Sequence, residues 1–290
     1  MRKSITAIAS LLALFSSAAW MAGSSLSSPA NTTVKVPHVS YKLESIEVES
    51  VHGWYIPSTA HKACVLLMHG VRSNRKEMLG RAEFLREEGF SSLAIDLYAH
   101  GETAGEHITY GYKESNSARI AVDYLYKDKN CEKVVALGSS LGGAASLLGE
   151  RPIAVDGYIL EAVYPSIEKA VANRLAMRFG QAGRLFAPIL YMQIPMRLGV
   201  ELEKLQPIDA IRSINAPVLV INGSHDQRTT LADAKSLYES APASKDFYEF
   251  DGAAHTNLYD YNPEQYKAVV LKFLNKITQH SADIHSNPLD

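Results

Sequence analysis

The chain carries almost no net charge: 29 Lys and Arg stand against 31 Asp and Glu, for a formal −2. It therefore lacks the cationic surplus that a polyphosphate requires, and a nucleic-acid partner is excluded. Cysteine is scarcer still, with two in 290 residues, which rules out a cysteine-rich scaffold and any zinc site built from paired cysteines. Neither a metal-binding H-E-x-x-H pattern nor a dinucleotide glycine fingerprint occurs, so no metal and no cofactor are expected. Internal repeats are absent, and low complexity is confined to the N-terminal region. Apolar residues, by contrast, make up 47% of the chain. That is enough to bury a large core in a single domain.

The N-terminus has the form of a targeting segment. Arg2 and Lys3 precede an uncharged run from Ser4 to Leu26, centred on Ile5, Ile8, Leu11, Leu12, Leu14 and Phe15. Residues 1–22 read as a signal peptide cleaved after Ala19 or Ala22, or as an uncleaved anchor, because about 20 apolar residues span a bilayer. The lack of a nearby cysteine excludes a lipoprotein signal. Both readings leave Arg2 and Lys3 inside and export the rest to the periplasm or medium. Residues 23–40, rich in Ser, Pro, Thr and Asn, read as a flexible leader. Residues 41–278 then form one domain, and 279–290 a polar tail.

Within that domain the apolar periodicity alternates. Residues 41–57 suggest two short strands around Val51-His52-Gly53. Strands at 63–68, 92–97, 133–137, 157–160, 217–222 and 247–250 are separated by helices at 75–88, 112–126, 143–148 and 231–239, with a last helix at 263–277. This order specifies an α/β fold with a mostly parallel sheet and helices on both faces. Residues 165–215 break the alternation into helical pieces interrupted by Gly180, Gly183, Pro188, Pro195 and Gly199. They read as a cap over the carboxyl edge of the sheet, where open α/β sheets bind ligands.

The chemistry concentrates at the strand ends. Gly138-Ser139-Ser140-Leu141-Gly142 lies between an apolar strand and a small-residue helix, and only Ser140 has glycine at both minus two and plus two. Strand, G-x-S-x-G and helix make a nucleophile elbow. A serine needs a base, and the base an orienting acid. His255 follows the last strand in a loop of small residues and is the candidate base. His38, His52, His61, His280 and His285 fall in leader, turn or tail, while His100 and His107 lie in the loop after the fourth strand. Asp226, directly after the strand at 217–222, is the candidate acid; Asp251 and Glu161 compete with it. The backbone amides of Leu141 and Val71 are the candidate oxyanion donors, with Gly70 opening the approach and His69 structural beneath the loop.

His69-Gly70, Asp96 through Thr103, Gly138 through Gly143, Gly223 through Asp226 and His255, in this order, resemble the α/β-hydrolase superfamily. The likeness is closest to its exported esterase-like and serine-aminopeptidase-like (monoglyceride-lipase-like) branch, and it covers about residues 41–278. It implies a mostly parallel eight-stranded sheet with a helical cap inserted after the sixth strand. It implies a Ser140–His255–Asp226 triad that cleaves carboxylic esters through an acyl-enzyme, with a small acyl ester as the partner. Asp96 and His100-Gly101 would be structural. A peptidase, amidase or thioesterase would share this frame, and a silent binding protein for an apolar ligand is the alternative of another class. Tyr98-Ala99 departs from the Arg-Gly frequent in relatives, and the cap matches no subfamily.

The cap holds Lys169, Arg174, Arg178, Arg184 and Arg197 against Glu168, beside Met177, Phe179, Leu185, Phe186, Ile189, Leu190, Tyr191 and Met192. An apolar lining with a basic rim would suit an acyl ester, one bearing an anionic group included, or contact with a membrane surface. An ordinary amphipathic cap reads the same way. If the strands at Cys64 and after Cys131 are neighbours, an exported chain could close a disulfide worth about 3–4 kcal/mol. Two small buried thiols fit equally well. Nothing in the sequence fixes an oligomeric state.

Overall fold

The computed structural model describes residues 16–60, 63–242 and 244–279. His61, His280, His285 and the tail from 280 onward lie outside the described residues, as do residues 1–15 of the targeting segment. Among the described residues, eight strands form the main sheet: β1 (Glu44–Val48), β2 (Val51–Ile56), β3 (Cys64–Met68), β4 (Ser91–Ile95), β5 (Val134–Ser139), β6 (Gly157–Glu161), β7 (Val218–Gly223) and β8 (Lys245–Phe250). Their spatial order is β1-β2-β4-β3-β5-β6-β7-β8. The β1–β2 and β2–β4 pairs are antiparallel, and all the others are parallel.

The central strands are continuous apolar runs because both of their faces are covered. β3, β6 and β7 are buried at every position. Period-two alternation divides β3 between two cores. Leu66 and Met68 belong to the core that also holds Ala118, Val122 and Leu125 of helix α2 (Glu114–Lys127) and Leu237 of α7 (Leu231–Ser240). Val65 and Leu67 belong to the opposite core, with Ala82 and Leu85 of α1 (Leu79–Glu87) and Val270 and Phe273 of α8 (Pro263–Gln279). α3 (Leu141–Leu147) follows β5 directly. The cap after β6 contains α4 (Ile167–Phe179), a 3-10 stretch Gln181–Phe186, α5 (Ala187–Tyr191) and α6 (Ile194–Leu198). Gly180 and Gly199 end α4 and α6 with φ of 67° and 65°.

Cys64 and Cys131 are joined in a disulfide, with 5.9 Å between Cα atoms. β3 and β5 are neighbours, with Cys64 opposite Val134, which brings the two cysteines to the same end of the sheet.

The leader differs from expectation. Residues 16–27 are helical and span both anticipated cleavage positions. Residues 23–40 are no flexible tether, because Ala30–Asn31 pair in parallel with His100–Gly101. The Ala30 amide donates to the Ala99 carbonyl at 2.8 Å and the Thr32 amide to Gly101 at 2.8 Å. Asn31 Nδ2 reaches the carbonyls of Gly101 and Thr103 at 3.1 and 2.8 Å. Val34 is buried. The polar composition that suggested disorder is satisfied by carbonyls some 70 residues away, which local periodicity does not reveal.

Candidate active site

Ser140 sits between the end of β5 and the start of α3 with φ 48° and ψ −103°. A non-glycine residue held there stores about 1–3 kcal/mol of backbone strain, and such strain persists only where the surroundings impose it. The flanking glycines are imposed too. A Cβ on Gly138 would lie 2.3 Å from the Gly143 nitrogen, and one on Gly142 would lie 2.3 Å from the Met68 carbonyl oxygen. The turn is fastened at both ends: the Ser140 amide donates to Glu161 O at 2.7 Å, and Ser140 O accepts from the Ala144 amide at 3.0 Å.

Asp226 and His255 meet because β7 and β8 end in register, Gly223 opposite Phe250. The loops that follow are knitted together, with the His225 amide donating to Ala253 O at 2.9 Å. His255 Nδ1 lies 2.7 Å from Asp226 Oδ2, and the Asp226 side chain is fully buried. Asp226 Oδ1 accepts from the Arg228 and Thr229 amides at 2.8 and 2.9 Å. No hydrogen bond joins Ser140 to His255 among the described residues; such contacts commonly tighten only around substrate.

The competing acids are engaged elsewhere. Glu161 pairs in the interior with Arg81, Nη2 to Oε2 at 2.6 Å, and accepts from the Tyr266 hydroxyl. Asp251 accepts from Ser224 Oγ at 3.3 Å in an exposed turn.

The β3–β5 register sets Met68 opposite Gly138, so residues 69–71 leave the sheet beside 139–141. The Val71 and Leu141 amides donate to no other group of the described chain. His69 fixes this loop from below. Its Nδ1 donates to Gly70 O at 2.7 Å, and its Nε2 accepts from the Leu97 amide at 3.2 Å. Burial lowers the His69 pKa to about 4. His100, its ring 5.1 Å away, donates from Nδ1 to Tyr98 O at 2.9 Å. Burial, and then His69 itself, lower the His100 pKa to about 4. Asp96 serves the same loop, accepting from the Arg75 and Glu102 amides at 2.7 and 2.8 Å. His107 is exposed.

Toward the cap, Asn173 on α4 donates to Arg228 O at 3.1 Å and to Asp233 Oδ2 at 2.7 Å, locking the cap to the Asp226 loop. Arg174, next along α4, feels both Arg228 and Asp226; burial and then Arg228 lower its pKa. Of the cap's apolar residues, Met177, Phe179, Leu185, Phe186, Ile189 and Met192 are exposed, and Leu190 and Tyr191 are half-buried. Sequence reasoning missed Asn173, and also the Asn222 and Thr229 braces of the acid loop, whose Nδ2 and Oγ1 donate to Thr229 O and Ala162 O, both at 3.0 Å. None of the three stands in a motif.

Residues 59–205, about half of the chain, match the family of serine aminopeptidases, S33 (Hydrolase_4). The chain belongs to this family. An S33-family member is an enzyme of the serine-hydrolase type with the α/β-hydrolase fold. Among relatives of this S33 chain, YqkD of Bacillus subtilis is 23% identical over 231 residues, covering 78% of this chain and 76% of that protein. Human ABHD12B is 24% identical over 191 residues, 61% of this chain and 49% of that one. An esterase of Pyrococcus furiosus superposes with a TM-score of 0.67 at 20% identity, covering 87% of this chain and 98% of its own. A proline iminopeptidase of Mycobacterium smegmatis does so at 0.59 and 16%, over 83% and 100%. At these identities the structural likeness concerns the fold.

Proposed function

We propose that this hydrolase cleaves carboxylic esters with Ser140 as nucleophile, His255 as base and Asp226 as orienting acid. The observation that carries the reading is the 2.7 Å contact between Asp226 Oδ2 and His255 Nδ1, taken together with the strained turn at Ser140. A carboxylate accepts, so Nδ1 holds the imidazole proton and Nε2 keeps its lone pair for the serine. Nε2 takes the Ser140 proton as Oγ attacks the carbonyl carbon. The oxyanion rests on the Val71 and Leu141 amides, each worth about 2.7–4 kcal/mol in the transition state. His255 then protonates the leaving alcohol, and water releases the acid by the same steps in reverse.

The charges around the site favour an ester over an N-terminal peptide. An aminopeptidase must hold its substrate's ammonium with a carboxylate. The cap side instead offers Arg174 and Arg228 next to Asp226. Glu168, at the start of α4, is held by Gln206 Nε2 at 2.9 Å to each oxygen. The Cys64–Cys131 disulfide supports export to an oxidising compartment.

An alkyl fluorophosphonate should label Ser140 and no other residue, and Ser140→Ala should lose both the label and the hydrolysis of short p-nitrophenyl esters. A folded Ser140→Ala enzyme that retained turnover would overturn the triad. Faster cleavage of a matched amino-terminal anilide than of the ester would overturn the substrate class.

A further inference from the structure

The outward-facing apolar residues of the cap belong to a larger surface. Twelve large hydrophobic side chains are exposed among the described residues, and all but Val36 and Tyr261 lie on the leader helix or the cap. Trp20 is 43% exposed, Phe179 66%, Leu185 79%, Met192 68% and Met196 79%. Single exposed apolar residues need no explanation, whereas a concentration like this marks a contact face.

The two parts of the face are one body. The Arg197 guanidinium lies 3.9 Å over the Trp20 ring and donates to Trp20 O at 2.8 Å and to Ser24 Oγ. Gln193 Nε2 donates to Ala19 O at 3.2 Å, and a Cβ on Gly23 would come within 2.6 Å of Gln193 Oε1. At its other end the helix is tied to the loop after β3. There Arg72 donates to the carbonyls of Ser25 and Leu26 and, at 3.0 Å, to Ser28 Oγ. Arg72 is the residue after Val71, so the leader reaches the rim of the site.

We infer that the leader helix and the cap together form a docking face for an anionic lipid bilayer. Three observations choose this occupant. The uncharged run Ser4–Phe15 leads directly into the helix, so the apolar character of the face continues upstream in sequence. Between Glu168 and Glu201 the cap sequence contains no acid, and besides Arg174, which faces the Asp226 side, it carries the cations Lys169, Arg178, Arg184 and Arg197. That is the charge which anionic headgroups attract. The described part of the leader helix, residues 16–27, exposes Trp20, Met21 and Leu26, apolar side chains of the kind that an interfacial helix sets into the headgroup–acyl boundary. Docking would set the cap, and the site beneath it, against the lipid surface. The inference concerns where the enzyme works and stands whether or not the triad reading holds.

The chain provides its own probe, because Trp20 is exposed on this face while Trp54, the other tryptophan, is fully buried. Full-length protein would be mixed with vesicles of equal parts phosphatidylcholine and phosphatidylglycerol carrying brominated acyl chains. Trp20 emission should be quenched, and Trp20→Phe should remove the bromine-sensitive part. Leu185→Ser with Met196→Ser should weaken vesicle partitioning about tenfold while turnover of a water-soluble short ester is unchanged. Phe179→Ser with Met192→Ser, on equally exposed positions, should do the same, which guards against a folding defect in the first pair. Pure phosphatidylcholine should bind more weakly. Three results would each overturn the inference. One is unquenched Trp20 on vesicle-bound protein, or a mature chain that begins after it. Another is wild-type partitioning by both double variants. The third is a dimer in solution that the serine pairs convert to monomer while vesicles are ignored, which would assign the face to a second copy.

Discussion

Asp226 is gripped from three directions, by two backbone amides on Oδ1 and by the imidazole on Oδ2. Its orientation is set before any substrate arrives. Asp226→Asn should therefore keep the fold and KM while lowering kcat by about 10³–10⁴, since an amide neither fixes the right tautomer nor stabilises the imidazolium. Steady-state kinetics on a short ester would show it. His69 and His100 respond to pH differently. Both have folded pKa values lowered to about 4 from 6.5, so between those values the unfolded chain binds more protons than the folded one. Stability then rises with pH across this window and is lost as pH falls from about 6.5 toward 4. Urea midpoints measured through that range should decline, and a flat profile would show that neither ring is buried neutral. The triad candidates were legible because a turn motif and chain order single them out. Asn173 and Thr229 were not, because their roles exist only through partners 55 and 67 residues away.

A buried ionic group joins elements beneath the site. Arg81 of α1 binds Glu161 at the end of β6 and donates to the Tyr266 hydroxyl of α8 at 2.9 Å. A sheet end and two helices of the same face thus share a single charge pair. Glu161→Gln should cost about 3–5 kcal/mol, because the guanidinium would remain buried without its counter-charge. Thermal melting would report the loss, while the kcat of folded enzyme should change far less than for Asp226→Asn. That contrast separates a buttress from a catalytic acid, two roles that sequence position alone left in competition for Glu161. The central strands were readable because burial on both faces demands unbroken apolar runs. The leader was not, since its short polar side chains and backbone are satisfied by a distant loop rather than by their own periodicity.

Across the whole molecule, order is unevenly distributed. The sheet carries two cores on its faces, and β3, β5, β6 and β7 run through the middle of both. The cap from 181 to 199 consists of short helical turns between Gly180 and Gly199, with Leu185, Phe186, Ile189, Met192 and Met196 exposed and only Ile194 and Leu198 of its large apolar side chains buried. Amide exchange should therefore be fastest in 181–199 and slowest in the four central strands. Mass-resolved exchange of the intact protein would test this, and equal protection of cap and sheet would contradict it. The leader is tied down mainly by residues far along the chain: Asn31 to the loop 70 residues on, and Ala19 to Gln193, 174 residues on. Contacts of such separation form only after the intervening chain has collapsed. The first described segment of this protein to be synthesised should accordingly find its place only after the cap has been made.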